Sequence, residues 1–323
     1  MATVLVRKLW QYGAVLFVTV SLNFLLPRLM PGDPLALLAG EDAALLPAET
    51  RAEILRRHGL DQPLWRQYVR YLSDLMRVDW GYSYQQKRPI GDILRERLPW
   101  TVLLTGASLL LSTALGGLFG VLTAWRRGQA SDIGILAFFI FLQSLPAFWV
   151  GMIFIAVFAV QLGWLPTFGA QTPWRQLTGW ARVADILKHL VLPVATLTLV
   201  SVPGTFIITR YSMLSVLRED YILVARAKGL TERALMFRHA IRNALLPVAT
   251  VFMLNLGFVV SGATVVETVF SYPGLGRLLY EAVLNRDYPV LQAAFLLITI
   301  SVIAGNILAD LVYPVLDPRV RRG

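Results

Sequence analysis

The sequence predicts an all-α integral membrane protein with six transmembrane helices, and three observations carry that reading. Of 323 residues, 56% are hydrophobic and only 15% are charged, which is too apolar for a soluble domain of ordinary composition. Six apolar runs, near Leu9–Met30, Trp100–Trp125, Ile133–Leu162, Ile186–Tyr211, Leu246–Phe270 and Pro289–Val315, are each long enough to cross the roughly 30 Å of hydrocarbon in a bilayer. The basic residues behind the net charge of +10 gather at Arg7-Lys8, Arg126-Arg127, between Arg218 and Arg242, and at Arg319, Arg321 and Arg322. Those are alternate ends of the apolar runs, the positive-inside pattern, so both termini are expected in the cytoplasm. With the charge so placed and no RNA- or DNA-binding module beside it, a nucleic-acid partner is excluded. The chain has no cysteine, which removes a disulfide framework, a zinc ribbon and a thiol nucleophile.

Taken in order, residues 1–30 form the first span. It follows Arg7-Lys8, is longer than the core of a signal peptide and lacks a small-x-small cleavage site, so it reads as retained. Residues 31–99 form an extracytoplasmic helical insertion. It is entered through the turn Pro31-Gly32-Asp33-Pro34 and contains a short helix, Glu49–Arg57, stopped by Gly59. Beyond that, Leu64, Tyr68, Tyr71, Leu72 and Leu75 share one helical face, as in an amphipathic lid or a membrane-surface helix. Residues 100–315 supply a five-helix transmembrane core, and residues 316–323 a cytoplasmic tail. In the second span Ser112, Gly116 and Gly120 recur every four residues, beside Thr113 and Gly117, forming a seam for close packing within or between subunits. The third span holds Gln143, Ser144 and Pro146. Trp164, Trp174 and Trp180, in the loop that follows, suit the membrane interface.

The segment between the fourth and fifth spans, residues 212–245, is a polar and basic island. Tyr221 to Lys228 has helix-forming composition and stops at Gly229, which takes a positive φ without strain. Thr231 caps a second helix carrying Ala234, Leu235, Arg238, His239 and Arg242 towards Pro247. A stiff cationic helix pair held outside the bilayer is suited to a protein partner, although a solvated cytoplasmic loop needs none.

Within that island Glu219-Asp220-Tyr221, Ala225-Arg226-Ala227-Lys228-Gly229-Leu230 and His239-Ala240-Ile241-Arg242-Asn243 with Pro247 resemble the EAA coupling motif of bacterial ABC-importer permeases. The acidic letter of that motif is absent here, where Val224 precedes Ala225, as in peptide-type members. Pro31-Gly32-Asp33-Pro34, Gly59-Leu60-Asp61-Gln62-Pro63-Leu64 with Gln67-Tyr68, and Arg97-Leu98-Pro99-Trp100-Thr101 resemble the amino-terminal half of the binding-protein-dependent dipeptide, oligopeptide and nickel permeases, first-permease type. So does the block from Gly262 through Glu267 and Tyr272-Pro273-Gly274-Leu275-Gly276-Arg277 to Asp287-Tyr288-Pro289. Relatives carry Gly-Asp-Leu-Gly where this chain has Val78-Asp79-Trp80-Gly81.

The resemblance implies a type I ABC importer permease fold in a bacterial inner membrane. It also implies a homologous second permease, two ATP-binding subunits and an extracytoplasmic solute-binding protein. The helix before Gly229 would then dock on an ATPase subunit, with short peptides as cargo and glutathione or nickel chelates as alternatives. The chain has no G-x-x-x-x-G-K-[ST] loop, so ATP and Mg are expected in partner subunits, with no cofactor and no catalysis in this one. His58, His189 and His239 lie one per segment and do not suggest a metal site. An ion-coupled secondary transporter is disfavoured, because mid-span acidic residues and a duplicated half are both lacking. Asn255, Glu267 and Gln143 are the candidates for lining the pathway. Glu267 has the alternative of pairing with Arg277 or bonding the Pro273–Gly276 turn. Arg210 and Asp310, near cytoplasmic helix ends, are expected to snorkel.

Overall fold

The computed structural model describes residues 2–29, 61–83 and 85–316, together with 47, 49, 50, 53, 55 and 56. The Pro31–Pro34 turn, Gly59-Leu60, the 317–323 part of the tail and most of the expected Glu49–Arg57 helix lie outside the described residues.

Helix α1 (Ala2–Leu29) is followed by α2 (Leu64–Met76) and a small antiparallel hairpin, β1 (Tyr82–Ser83) against β2 (Arg88–Pro89). Then come α3 (Ile90–Trp125), α4 (Ala130–Gln143) and α5 (Ala147–Gln161), the last finishing in a π-helical stretch from Ile155. Helix α6 (Gly179–Val216) leads into α7 (Asp220–Ala227) and the rod α8 (Glu232–Ser261). Two short helices, α9 (Thr264–Val269) and α10 (Leu275–Leu284), precede α11 (Tyr288–Leu316).

The all-α membrane architecture agrees with the sequence, but the spans differ from six simple runs. Among the described residues four helices, α3, α6, α8 and α11, are long and apolar enough to cross a membrane, and the apolar stretch of α1, Trp10–Leu25, is shorter. The expected third span is a bent pair: α4 and α5 meet at 99°. Pro146 has no N–H to continue the ladder, and its ring pushes Leu145 away from helical geometry, so the chain turns at Ser144–Pro146. The expected fifth span, Leu246–Phe270, ends instead at Ser261, because Gly262 adopts φ +79° and redirects the chain into α9. Helix α3 also begins at Ile90 rather than Trp100. Its 36 residues reach about 54 Å at 1.5 Å per residue.

The small-residue seam lies within the subunit. A Cβ on Gly116 would stand 2.7 Å from Thr205 Cβ and 2.9 Å from the Phe206 nitrogen, and one on Gly120 would stand 2.6 Å from Thr209 Cβ. These close approaches bring the backbones of α3 and α6 together. A second seam, Gly257 of α8 against Gly305 of α11, is equally tight. Arg210 and Asp310, expected to snorkel, each also have a counter-charge on another helix, the Arg210 side chain being 14% exposed and that of Asp310 33%. The Arg210 guanidinium donates twice to Asp132, at 3.1 Å each, and the Gly128 N–H joins it at 3.1 Å. Lys8 lies 2.6 Å from Asp310, which also accepts from the Tyr12 hydroxyl at 2.6 Å. Charges at membrane depth are retained when paired in this way.

Candidate coupling surface and pathway crevice

Helix α7 packs by its own period. Ile222 and Ala225, three apart, are buried against Met213 of α6 and Leu235, Ala240 and Ala244 of α8. Its C-terminus closes with the Gly229 N–H on Arg226 O at 3.0 Å and the Leu230 N–H on Ala225 O at 3.4 Å, with Gly229 at φ +78°. That is a Schellman cap. Thr231 then accepts from the Ala234 N–H at 3.4 Å and starts α8. Two clasps hold the pair. Arg226 donates to both oxygens of Glu232, at 3.0 and 3.3 Å, and the Asn243 amide donates to the Tyr221 hydroxyl at 2.9 Å.

The second helix of the pair is therefore no separate loop element. It is the first part of α8, a 30-residue rod that passes through a π-helical turn at Leu235–Ala240 and continues past Pro247 into the apolar span. Of the anticipated residues, Glu219, Asp220, Tyr221, Arg226, Ala227, Lys228, Gly229, Arg242, Asn243 and Pro247 are exposed. Leu230 and His239 are half-buried, and Ala225 is buried in the support. Three residues outside the anticipated docking set complete the face: Leu223, Val224 and Phe237, exposed by 72%, 50% and 66%. Their signal was available, since they are the apolar positions left over once Ile222 and Ala225 are assigned inward.

On the far side of α8, Asn255 opens onto a crevice of about 300 Å³ between α3, α6 and α8. Its polar lining is Thr105, Ser108, Ser112, Ser201, Thr205 and Ser261, with no charged side chain among the described residues. The crevice ends at the turn Val259–Ser261, where Thr105 Oγ1 donates to Val259 O at 2.6 Å. Gln143 is exposed at the α4–α5 bend and does not line this crevice.

Glu267 does not line it either. It is fully buried, and the alternative of bonding the following turn describes its place. Its carboxylate accepts from Thr101 Oγ1 at 3.0 Å and from the N–H groups of Arg277 at 2.9 Å and Ala263 at 3.4 Å. The Thr101 hydroxyl in turn accepts from the Leu275 N–H at 2.7 Å. Gly262, Gly274 and Gly276 crowd this centre so closely that a Cβ on any of them would collide, on Gly262 2.9 Å from the Gly276 nitrogen. Burial pushes the Glu267 carboxyl above the usual glutamate range, and the surrounding N–H and O–H donors oppose that shift. The arrangement staples α9 and the start of α10 to α3. Asp287 plays a related part at the next corner, accepting from the Ser83 hydroxyl and the Val290 N–H, and burial likewise raises its carboxyl.

A polar crevice beside long apolar helices thus lies on the same rod, α8, as an apolar face on a basic loop. Two family descriptions cover the chain: the inner membrane component of binding-protein-dependent transport systems over residues 116–322, and the N-terminal part of such membrane components over residues 1–105. The chain belongs to this family of ABC transporter permeases. It is 36% identical to the oligopeptide transport system permease protein AppB of Bacillus subtilis and 37% identical to the di/tripeptide transport system permease protein DppB of Pseudomonas aeruginosa, with 99% of each chain covered in both cases. It is also 37% identical to the glutathione transport system permease protein GsiC of Escherichia coli, again over 99% of each chain. Among solved structures, the inward-facing methionine ABC transporter MetNI superposes with a TM-score of 0.56 at 18% identity, covering 70% of this chain and 96% of that one.

Proposed function

We propose that this chain forms half of the translocation pathway of an ATP-driven importer of short peptides. A homologous second permease, two cytoplasmic ATP-binding subunits carrying ATP and Mg, and an extracytoplasmic solute-binding protein complete it. The chain itself is non-catalytic, lies in a bacterial inner membrane with both termini in the cytoplasm, and exposes residues 31–99 outside. The observation that carries this reading is the continuity of α8, which begins at the capped turn beside Leu223, Val224 and Phe237 and ends at the polar crevice around Asn255. An apolar helix face outside the spans fits a groove on an ATPase subunit. Motion imposed there reaches the crevice along α8, and differential contacts in two states bias the crevice open or closed. The peptide cargo is supported by the relatives named for oligopeptides and di- or tripeptides. Glutathione, the cargo in the name of a relative of equal identity, is the second reading.

Purification of the native complex in mild detergent, followed by mass spectrometry, tests this directly. A homologous permease, Walker-A ATPases and a ligand-loaded binding protein are expected, and Leu223→Asp with Phe237→Asp should lose the ATPases alone. A chain recovered by itself that still transports in liposomes without ATP would overturn the proposal.

A further inference from the structure

Helix α2 stands against the outer part of α1 by aromatic contacts, Phe24 to Tyr68 at 5.1 Å and to Tyr71 at 5.6 Å between ring centroids, with the Ser21 and Tyr68 hydroxyls 2.7 Å apart. This packing leaves an apolar slot of about 320 Å³ between the two helices. Its α1 wall includes Phe17 and Leu25, which belong to the apolar stretch Trp10–Leu25 and are themselves exposed, so the slot opens sideways toward hydrocarbon. Its other walls include Phe24 and Trp65, and each of these rings carries a guanidinium. Arg28 lies 3.7 Å from the Phe24 ring centroid and Arg66 5.2 Å from that of Trp65. Among the described residues no acidic side chain lines the slot. Arg28 is held in place by its bonds to Phe24 O at 2.8 Å and Gln67 Oε1 at 3.2 Å.

From these observations we infer that the α1–α2 slot binds an anionic phospholipid, one acyl chain lying in the slot and the phosphate at the Arg28–Arg66 rim. An apolar trough beside exposed span residues, with a guanidinium stacked on each of two rings of its wall, has the polarity of a phospholipid. A helix with apolar and basic faces at the membrane surface takes this orientation on general grounds. The arginines are stacked on rings, which holds their heads near the slot. The inference is independent of the cargo and of the ATPase partners.

The test uses the assembled transporter in nanodiscs made with brominated-chain phosphatidylglycerol or brominated-chain phosphatidylcholine, read by quenching of tryptophan emission. Phosphatidylglycerol should quench a component that disappears in Trp65→Phe. Arg66→Gln should lower the preference for phosphatidylglycerol about fivefold, the equivalent of roughly 1 kcal/mol for one cation near an anionic surface. Arg66 is exposed, so this variant is expected to assemble normally, which its unchanged subunit yield checks. Equal quenching by the two lipids overturns the inference, since it means surrounding bilayer only. Quenching that Trp65→Phe leaves unchanged also overturns it. So does a Trp65 signal shielded from both lipids until the binding protein is stripped away, which would give the slot to a protein.

Discussion

Single residues decide the corners of this molecule. Glu267 stands in a pocket of donors with no room for another atom, so Glu267→Gln keeps the shape but sets one N–H group against N–H donors. The expected loss is about 1–3 kcal/mol of stability for a buried polar group left unmatched. Its pH dependence has a definite sign. The folded carboxyl is raised above its unfolded value by burial, so the native state holds the proton more tightly. The resulting contribution to stability is complete below the ordinary glutamate range and is lost as pH rises through the raised folded value. Thermal unfolding of the wild type in nanodiscs at about pH 5 and about pH 8 should show that decline, and Glu267→Gln should flatten this component; an unchanged slope would refute it. Val78 gives a prediction of opposite direction. It sits at φ +60° in the C-terminal cap of α2, with the Val78 N–H on Leu75 O at 3.0 Å and the Asp79 N–H on Asp74 O at 2.9 Å. A β-branched residue is strained there, so Val78→Gly should stabilise by about 1 kcal/mol, read as a rise in melting temperature with transport unchanged.

At the scale of elements, the same cap geometry recurs at the end of α7, where Gly229 meets it without strain and nothing lies within 4 Å of where its Cβ would be. Gly229→Val therefore disturbs the backbone of the turn and not its packing. It should insert normally and lose the coupling of transport to ATP hydrolysis, whereas Gly229→Asn, which tolerates the left-handed region, should retain it. Peptide uptake and ATPase rate in proteoliposomes check both, and normal uptake by the valine variant would sink the idea. This helix–turn–helix was legible because Gly229 and Thr231 are local signals with one physical meaning each. The bend at Pro146 was half legible: the proline was visible, but an apolar run does not say whether a proline kinks a helix or folds it back. The end of α8 was hidden, since Val-Val-Ser-Gly-Ala-Thr continues the apolar run in composition and only the packing of Gly262 against Gly276 stops the helix there. The place of Glu267 was half legible: Arg277 and the Pro273–Gly276 turn lie close in sequence and are one of its two readings, whereas its partner Thr101 comes from a distant helix and gives no local signal. The crevice hydroxyls escaped notice because serine and threonine in a span satisfy themselves on the preceding turn, as Ser108 does on Leu104 O at 2.8 Å.

For the whole molecule, the decisive distinction is between surface that meets water during transport and surface that meets lipid. The two are adjacent. The neutral crevice around Asn255 lies between α3, α6 and α8, while a larger apolar groove, lined by Leu111, Leu115, Phe138 and Leu187 among others, lies across α3, α4, α5 and α6. The proposed pathway for zwitterionic peptides needs hydrogen-bonding groups that meet water and no fixed charge to trap the cargo, and the exposed Ser201 and Asn255 are groups of that kind. The absence of native cysteine makes the test direct, because single cysteines report without background. Cysteines at Ser201 and Asn255 should react with a charged, water-borne thiol reagent. The rate should change severalfold when ATP and the loaded binding protein are added, as the proposed coupling along the rod α8 requires. Cysteines at Leu111 and Phe138 should stay unreactive in every state. Reaction at Phe138 with silence at Asn255 would put the pathway in the apolar groove and reverse the assignment of the two faces.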